Sequence, residues 1–237
     1  MKKMIQNKFR VMAAALVIAL STLTANAQNN VEVSVGADVV SNYIWRGQDC
    51  GGVSIQPSIA VGKYGFSLSA WGSVGIEKED TKELDLTLGY NAGGFSVAVT
   101  DYWFDYGGKY FKYASKETDH VYEATVGYDF GPLSVSWNTN FAGADYYKAK
   151  SDGSMDRAYS SYAEVMVPFK LGEFDFSAEV GLTPWEGAYS DGFNVVNVGL
   201  TAGKNIKITD SFSLPAFAKI TVNPNTEKAY FAFGISF

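Results

Sequence analysis

From Val31 to Phe237 this chain alternates apolar and polar residues one by one, in twelve separate segments. A two-residue period is the mark of a strand whose two faces meet different surroundings. The last ten residues, Lys228 to Phe237, give the cleanest case. Ala229, Phe231, Phe233, Ile235 and Phe237 fall on one side, with Tyr230, Ala232, Gly234 and Ser236 on the other. The pattern predicts an all-β protein: a single up-and-down antiparallel transmembrane β-barrel of about twelve strands, with the Phe237-terminal strand closing against the first.

The amino-terminus reads as a separate unit. Lys2, Lys3, Lys8 and Arg10 precede an apolar run from Val11 to Leu20, and Ala25-Asn26-Ala27 is a small-residue cleavage site. Residues 1–27 are therefore expected to be a cleaved secretory signal peptide, and residues 28–237 the barrel. The leader takes four of the 19 basic residues with it and none of the 25 acidic ones, so the mature chain stands at −10. That sign excludes a nucleic-acid binder, which needs a basic footprint. One cysteine, Cys50, excludes an internal disulfide framework.

Alternation alone does not separate a membrane barrel from a soluble sandwich with its apolar face turned inward. Three features decide for the barrel. The apolar face persists through all twelve segments. Aromatic residues gather near strand ends: Tyr43, Trp45, Trp103, Tyr122, Trp137 and Tyr159 toward the longer loops, and Phe66, Tyr90, Phe95, Phe130, Phe169, Phe174 and Phe212 toward the shorter turns. These are two interfacial girdles. The opposite face carries carboxylates that a dry core could not bury unpaired. Short turns alternate with longer loops, and an even strand count puts both termini on the turn side, the periplasmic one. The expected location is the bacterial outer membrane. Expected partners are its lipids and lipopolysaccharide, reached through loop lysines such as Lys109, Lys112 and Lys116, and the assembly machinery, through the last strand. Pro57, Pro168 and Pro215 fall inside strands and each needs a bulge or a strand end. The phase of the fifth segment breaks at Asp101, which reads as a bulge.

Asn42-Tyr43-Ile44-Trp45-Arg46-Gly47, followed by Ser54-Ile55-Gln56-Pro57, resembles the opening motif of the TorF-type porins, small Gram-negative outer-membrane proteins. Ala70-Trp71-Gly72-Ser73 and Thr100-Asp101-Tyr102-Trp103 are similar to that family in kind. The resemblance implies an outer-membrane barrel and a pore, and brings no catalytic residues.

The inward face is acidic. Glu32, Asp38, Asp85, Glu123, Asp129, Glu164, Asp175 and Glu179 share it with Arg46 and Lys219 alone. The candidate pore-lining residues are Asp38, Arg46, Gln56, Trp71, Asp85, Glu123, Glu164, Glu179 and Lys219. Two readings follow. One is a small passive channel for cations or small polar solutes. The other is a non-conducting structural or surface-contact barrel filled by its own side chains, since twelve strands lie between filled and open sizes. Arg46 is expected at the outer rim, facing inward, either paired with Glu77 or Glu83 or acting as a constriction charge, and Trp71 either narrows the lumen or packs against Arg46 or a neighbouring glycine. A third reading is a lipid-modifying enzyme built on His120, the one histidine, placed near the lipid face with Ser115 close in sequence. No motif fixes the serine, base and orienting group that such chemistry needs, so the chain is read as no enzyme. Neither a cofactor nor a metal site is expected, because Cys50 lacks companion ligands.

Overall fold

A computed structural model describes residues 31–77, 80, 82–114 and 117–237 of the chain. Residues 1–30, among them the expected signal peptide, together with Lys78, Glu79, Thr81, Ser115 and Lys116, lie outside the described residues. Every regular element among the described residues is a strand. In chain order they are β1 (Glu32–Val40), β2 (Tyr43–Trp45), β3 (Gln48–Gly51), β4 (Ser54–Lys63), β5 (Phe66–Gly75), β6 (Lys82–Ala92), β7 (Phe95–Phe104), β8 (His120–Asp129), β9 (Ser134–Gly143), β10 (Tyr147–Ala149), β11 (Met155–Arg157), β12 (Ser161–Leu171), β13 (Phe174–Thr183), β14 (Asn194–Lys207), β15 (Ser213–Asn223) and β16 (Lys228–Ser236).

Twelve of these form a closed antiparallel barrel, in the order β1-β16-β15-β14-β13-β12-β9-β8-β7-β6-β5-β4. Short hairpins join neighbours where the sequence supplies the backbone for them. Tyr64-Gly65 and Gly93-Gly94 have positive φ at both central positions, as the type I′ turns that match strand twist require. The seam closes as expected. Asp38, Val39 and Val40 of β1 pair with Ser236, Ile235 and Gly234 of β16, and Phe237 exchanges backbone hydrogen bonds with Ala37.

The apolar face points outward. Leu86, Val198 and Phe231, on three separate strands, are 38%, 40% and 60% exposed. Their inward neighbours Asp85, Asn197 and Ala232 are buried. A water-soluble body would invert this arrangement. The turn-side girdle is present: Phe66 packs on Tyr90, Tyr128 on Phe130, and Phe169 on Phe176.

Several local expectations change. The prolines need no bulge of their own. Pro57 pairs with Ala37 on β1 but stands where the β4–β5 ladder omits rungs without changing register. Pro168 lies past the last β9 rung, Met166 to Ser134, and Pro215 lies before the first β16 rung, Ala216 to Ile235. Asp101 is likewise no bulge, because β7 pairs with both neighbours in unbroken register. The register shifts instead between Tyr122 and Glu123 on β8 and between Gly181 and Leu182 on β13. The first strand also does not run on to Trp45. It stops at Val40, and Ser41 to Val53 turns inward as the β2–β3 hairpin.

Candidate functional site

The β2–β3 hairpin turns on Arg46-Gly47, between the paired residues Trp45 and Gln48. Their φ angles are 49° and 75°, the same positive pair as in the turns at the other end of the barrel. Arginine is costly there: a Cβ crowds the following carbonyl by roughly 1–2 kcal/mol, and arginine lacks the short polar side chain whose local hydrogen bond makes asparagine tolerable. Glycine is obligatory at the second place. A Cβ on Gly47 would lie 1.9 Å from the carbonyl oxygen of Val196 on β14. Asn223 on β15 donates from Nδ2 to the Gly47 carbonyl at 3.0 Å. The hairpin tip is therefore pressed against the wall formed by β14 and β15.

From that tip Arg46 reaches β8. Its Nη1 donates to Glu123 Oε2 at 2.5 Å and its Nη2 to Oε1 at 2.8 Å, a two-pronged ion pair. Nη1 also donates to the phenol oxygen of Tyr189 at 2.5 Å. Aromatic faces surround the guanidinium: Trp45 at 4.3 Å, Tyr162 at 4.8 Å and Tyr189 at 5.7 Å from its central carbon. Tyr102 donates its hydroxyl to Glu123 Oε1 at 3.0 Å, and the carboxylate is 1% exposed. Tyr189 arrives from the loop between β13 and β14, which is tied down by Ala188 N–H donating to Ser160 Oγ and by Trp185 Nε1 donating to Ala158 O. Burial pushes the Tyr189 phenol up to about 12.

A second network lines β12 to β15. Lys219 Nζ meets Glu179 Oε1 at 2.6 Å. Asn197 Nδ2 donates to Glu179 Oε1 at 2.9 Å and to Tyr162 Oη at 3.0 Å, and Tyr162 donates to Glu164 Oε2 at 2.5 Å. Gln56 donates to Ser54 and Ser73. Asp85 is buried beside Glu83, one oxygen of each carboxylate having no protein partner. Asp38, half-buried, lies at the seam opposite Ser236. Trp71 packs on Tyr43 at 5.5 Å, and Arg46 lies against Trp45, Tyr162 and Tyr189 instead.

The structure thus brings Arg46, Glu123, Glu164, Glu179 and Lys219 into two adjoining networks and sets Asp38, Gln56, Trp71 and Asp85 around the wall on the hairpin's own side. Arg46 pairs with Glu123, not with Glu77 or Glu83. The reason is the hairpin, which carries the guanidinium inward from the rim. Tyr43 and Trp45 leave the outer girdle with it: Tyr43 is buried, and Trp45 packs on Tyr102 at 5.6 Å. Tyr102, Tyr162, Tyr189 and Asn197 were not among the candidate site residues of the sequence reading. The signal for them was Arg46-Gly47 itself, a hairpin turn inside an unbroken alternation.

Cys50 follows the hairpin on its return arm. Burial, then the charge of Glu83, pushes its thiol up to about 12. His120 stands on the outward face of β8, in phase with Tyr122 and Ala124, but it is covered by the β7–β8 loop. It is 0% exposed, with Nδ1 on Asp101 Oδ1 at 2.7 Å and Nε2 on the Tyr110 carbonyl at 2.6 Å. Tyr110 and Tyr113 of the β7–β8 loop pack over its ring. Both ring nitrogens are engaged by groups that accept, and neither holds a hydroxyl nucleophile, so the triad geometry of an acyl hydrolase is not built here.

No family model matches the chain, so the TorF-type resemblance rests on its motifs. No curated protein matches it either. Among solved structures the chain is similar to the NanC porin in its rhombohedral crystal form, at 10% identity and a TM-score of 0.45, covering 86% of this chain and 98% of that one. It is also similar to the KdgM porin, at 8% identity and a TM-score of 0.48, covering 87% and 98%.

Proposed function

We propose that this protein is a small passive channel of the bacterial outer membrane, carrying cations or small polar solutes along an acidic lumen narrowed by the β2–β3 hairpin. The observation that carries the reading is the division of the two faces. Apolar side chains ring the outside of all twelve strands, while the inward face holds Asp38, Glu83, Asp85, Glu123, Glu164 and Glu179 against Arg46 and Lys219. An apolar belt supports a lipid surround, and a wall of carboxylates supports cation preference. In this reading both termini face the periplasm, the last strand is the segment handled during assembly, and the loop lysines meet lipopolysaccharide phosphates.

A second reading, a barrel that does not conduct, draws on the burial of Glu123, Glu179, Asn197 and Lys219. Planar-bilayer recording separates the two. The channel reading expects discrete conductance from the folded wild type and a cation-selective reversal potential in a KCl gradient. Silence from both the wild type and Arg46→Ala, each shown to be folded, leaves the second reading in place.

A further inference from the structure

We propose that the pocket around Glu123 is a receptor for guanidinium-type cations, and that Arg46 is its built-in occupant. The inference deepens the channel reading by naming a solute class, and rests on it only for the route by which a solute arrives. The receptor exists largely without the hairpin. Glu123 comes from β8, Tyr102 from β7, Tyr162 from β12 and Tyr189 from the β13–β14 loop.

The shape of the site selects the ligand. Both oxygens of Glu123 are used, at 2.5 and 2.8 Å, by two nitrogens of one planar group. Such a fork fits a guanidinium and not the single point of an ammonium. The Tyr162 and Tyr189 rings stand 4.8 and 5.7 Å from the guanidinium carbon and favour a flat, weakly hydrated cation. Tyr102 helps to hold the carboxylate in place by donating to the same Oε1 that takes Arg46 Nη2.

The pocket also demands a cation. Glu123 is 1% exposed, and a buried carboxylate left alone is costly. Lys219, on the inward face beside it, is committed to Glu179 at 2.6 Å. The occupant, in turn, is attached by a backbone that gains from release. Arg46 sits at φ 49° without being glycine, a strained conformation, and the return arm of its hairpin ends on Gly51-Gly52. A solute carrying a free guanidinium can take the same bonds without that strain.

The test is chemical rescue. Arg46→Ala is purified in detergent and its thermal unfolding followed with methylguanidinium or methylammonium at matched ionic strength. Methylguanidinium, with half-effect on the order of 10 mM, is expected to recover at least half of the lost Tm. Methylammonium recovers little, the wild type does not respond, and the Arg46→Ala/Glu123→Gln double variant does not respond. In bilayers, methylguanidinium should block the current opened by Arg46→Ala and not that of the double variant. Equal responses to the two cations, or a response that survives Glu123→Gln, would overturn the proposal. Should Arg46→Ala refold only with methylguanidinium present, that supports it; refolding neither with nor without it counts against. Because unfolding is read in detergent, rescue in a protein that never conducts sinks the channel and keeps the receptor. Conduction without rescue does the reverse.

Discussion

Arg46 and Glu123 stand 77 residues apart in the chain and meet through two hydrogen bonds, one to each carboxylate oxygen. One belongs to an inward hairpin and the other to the wall, so this single pair fixes how far the hairpin enters the barrel. Removing one partner leaves the other charged and buried, which costs about 3–5 kcal/mol. Glu123→Gln is expected to lower the Tm and raise single-channel conductance, because the neutral amide keeps one acceptor and loses the charge. Thermal unfolding in detergent and bilayer recording check both. Unchanged values in both measurements would separate the pair from hairpin position.

Gly47→Ala tests the same device from its backbone. A methyl group at this position collides with the Val196 carbonyl and sits at φ 75°. The tip must back away from β14, breaking the Asn223 contact. The expected loss is about 2 kcal/mol or more, from overpacking together with left-handed strain. Conductance is expected to rise. Gly93→Ala is the control, since nothing lies within 4 Å of the Cβ position there although φ is 56°. It should cost only the backbone term.

Cys50 reports hairpin position chemically. With its thiol pushed up to about 12, almost no thiolate exists at neutral pH, and maleimide labelling of the folded protein should be slow. The rate should climb about tenfold per pH unit well beyond the usual thiol range. Arg46→Ala should label faster at pH 7 than the wild type. Stability follows the same protons. Cys50 and Tyr189 hold theirs more tightly folded than unfolded. Their contribution is complete well below the ordinary thiol range near pH 9 and is lost as pH rises through it toward about 12. Unfolding midpoints measured between pH 8 and 11 should fall with pH.

His120 is expected to matter for the β7–β8 loop and not for chemistry. His120→Ala removes the ring that bonds Asp101 and the Tyr110 carbonyl and that Tyr110 and Tyr113 cover. Trypsin should then cut faster after Lys109 and Lys112, while the barrel unfolds near its original temperature. Limited proteolysis followed by mass spectrometry reads the sites.

Much of the barrel was legible because alternation is a local property that needs no knowledge of partners. Leu84, Leu86 and Leu88 point one way and Glu83, Asp85 and Thr87 the other whatever pairs with them. What escaped depends on distance along the chain. Val39, Tyr43 and Trp45 keep one apolar phase through a place where the strand in fact stops, so the inward turn left no break in the pattern. Arg46 gave no hint of Glu123, because a partner on a distant strand has no local signature. Asp101 looked like a defect in its own strand. Its carboxyl is hydrogen-bonded to His120, nineteen residues on, and the backbone beneath it is regular. The acidic inner face was readable as a composition, but its division between Arg46 and Lys219 was not.

A ring of strands has no edges in principle, yet this one is stepped at its turn end. β12 outruns β9 beyond Met166, and β15 begins three residues before its first rung with β16. Each step bares a short length of main chain that a second molecule could extend, and each carries a proline, Pro168 or Pro215. Proline makes a poor template for strand addition. Two of the three prolines that looked out of place in a sheet thus guard the places where it could recruit another.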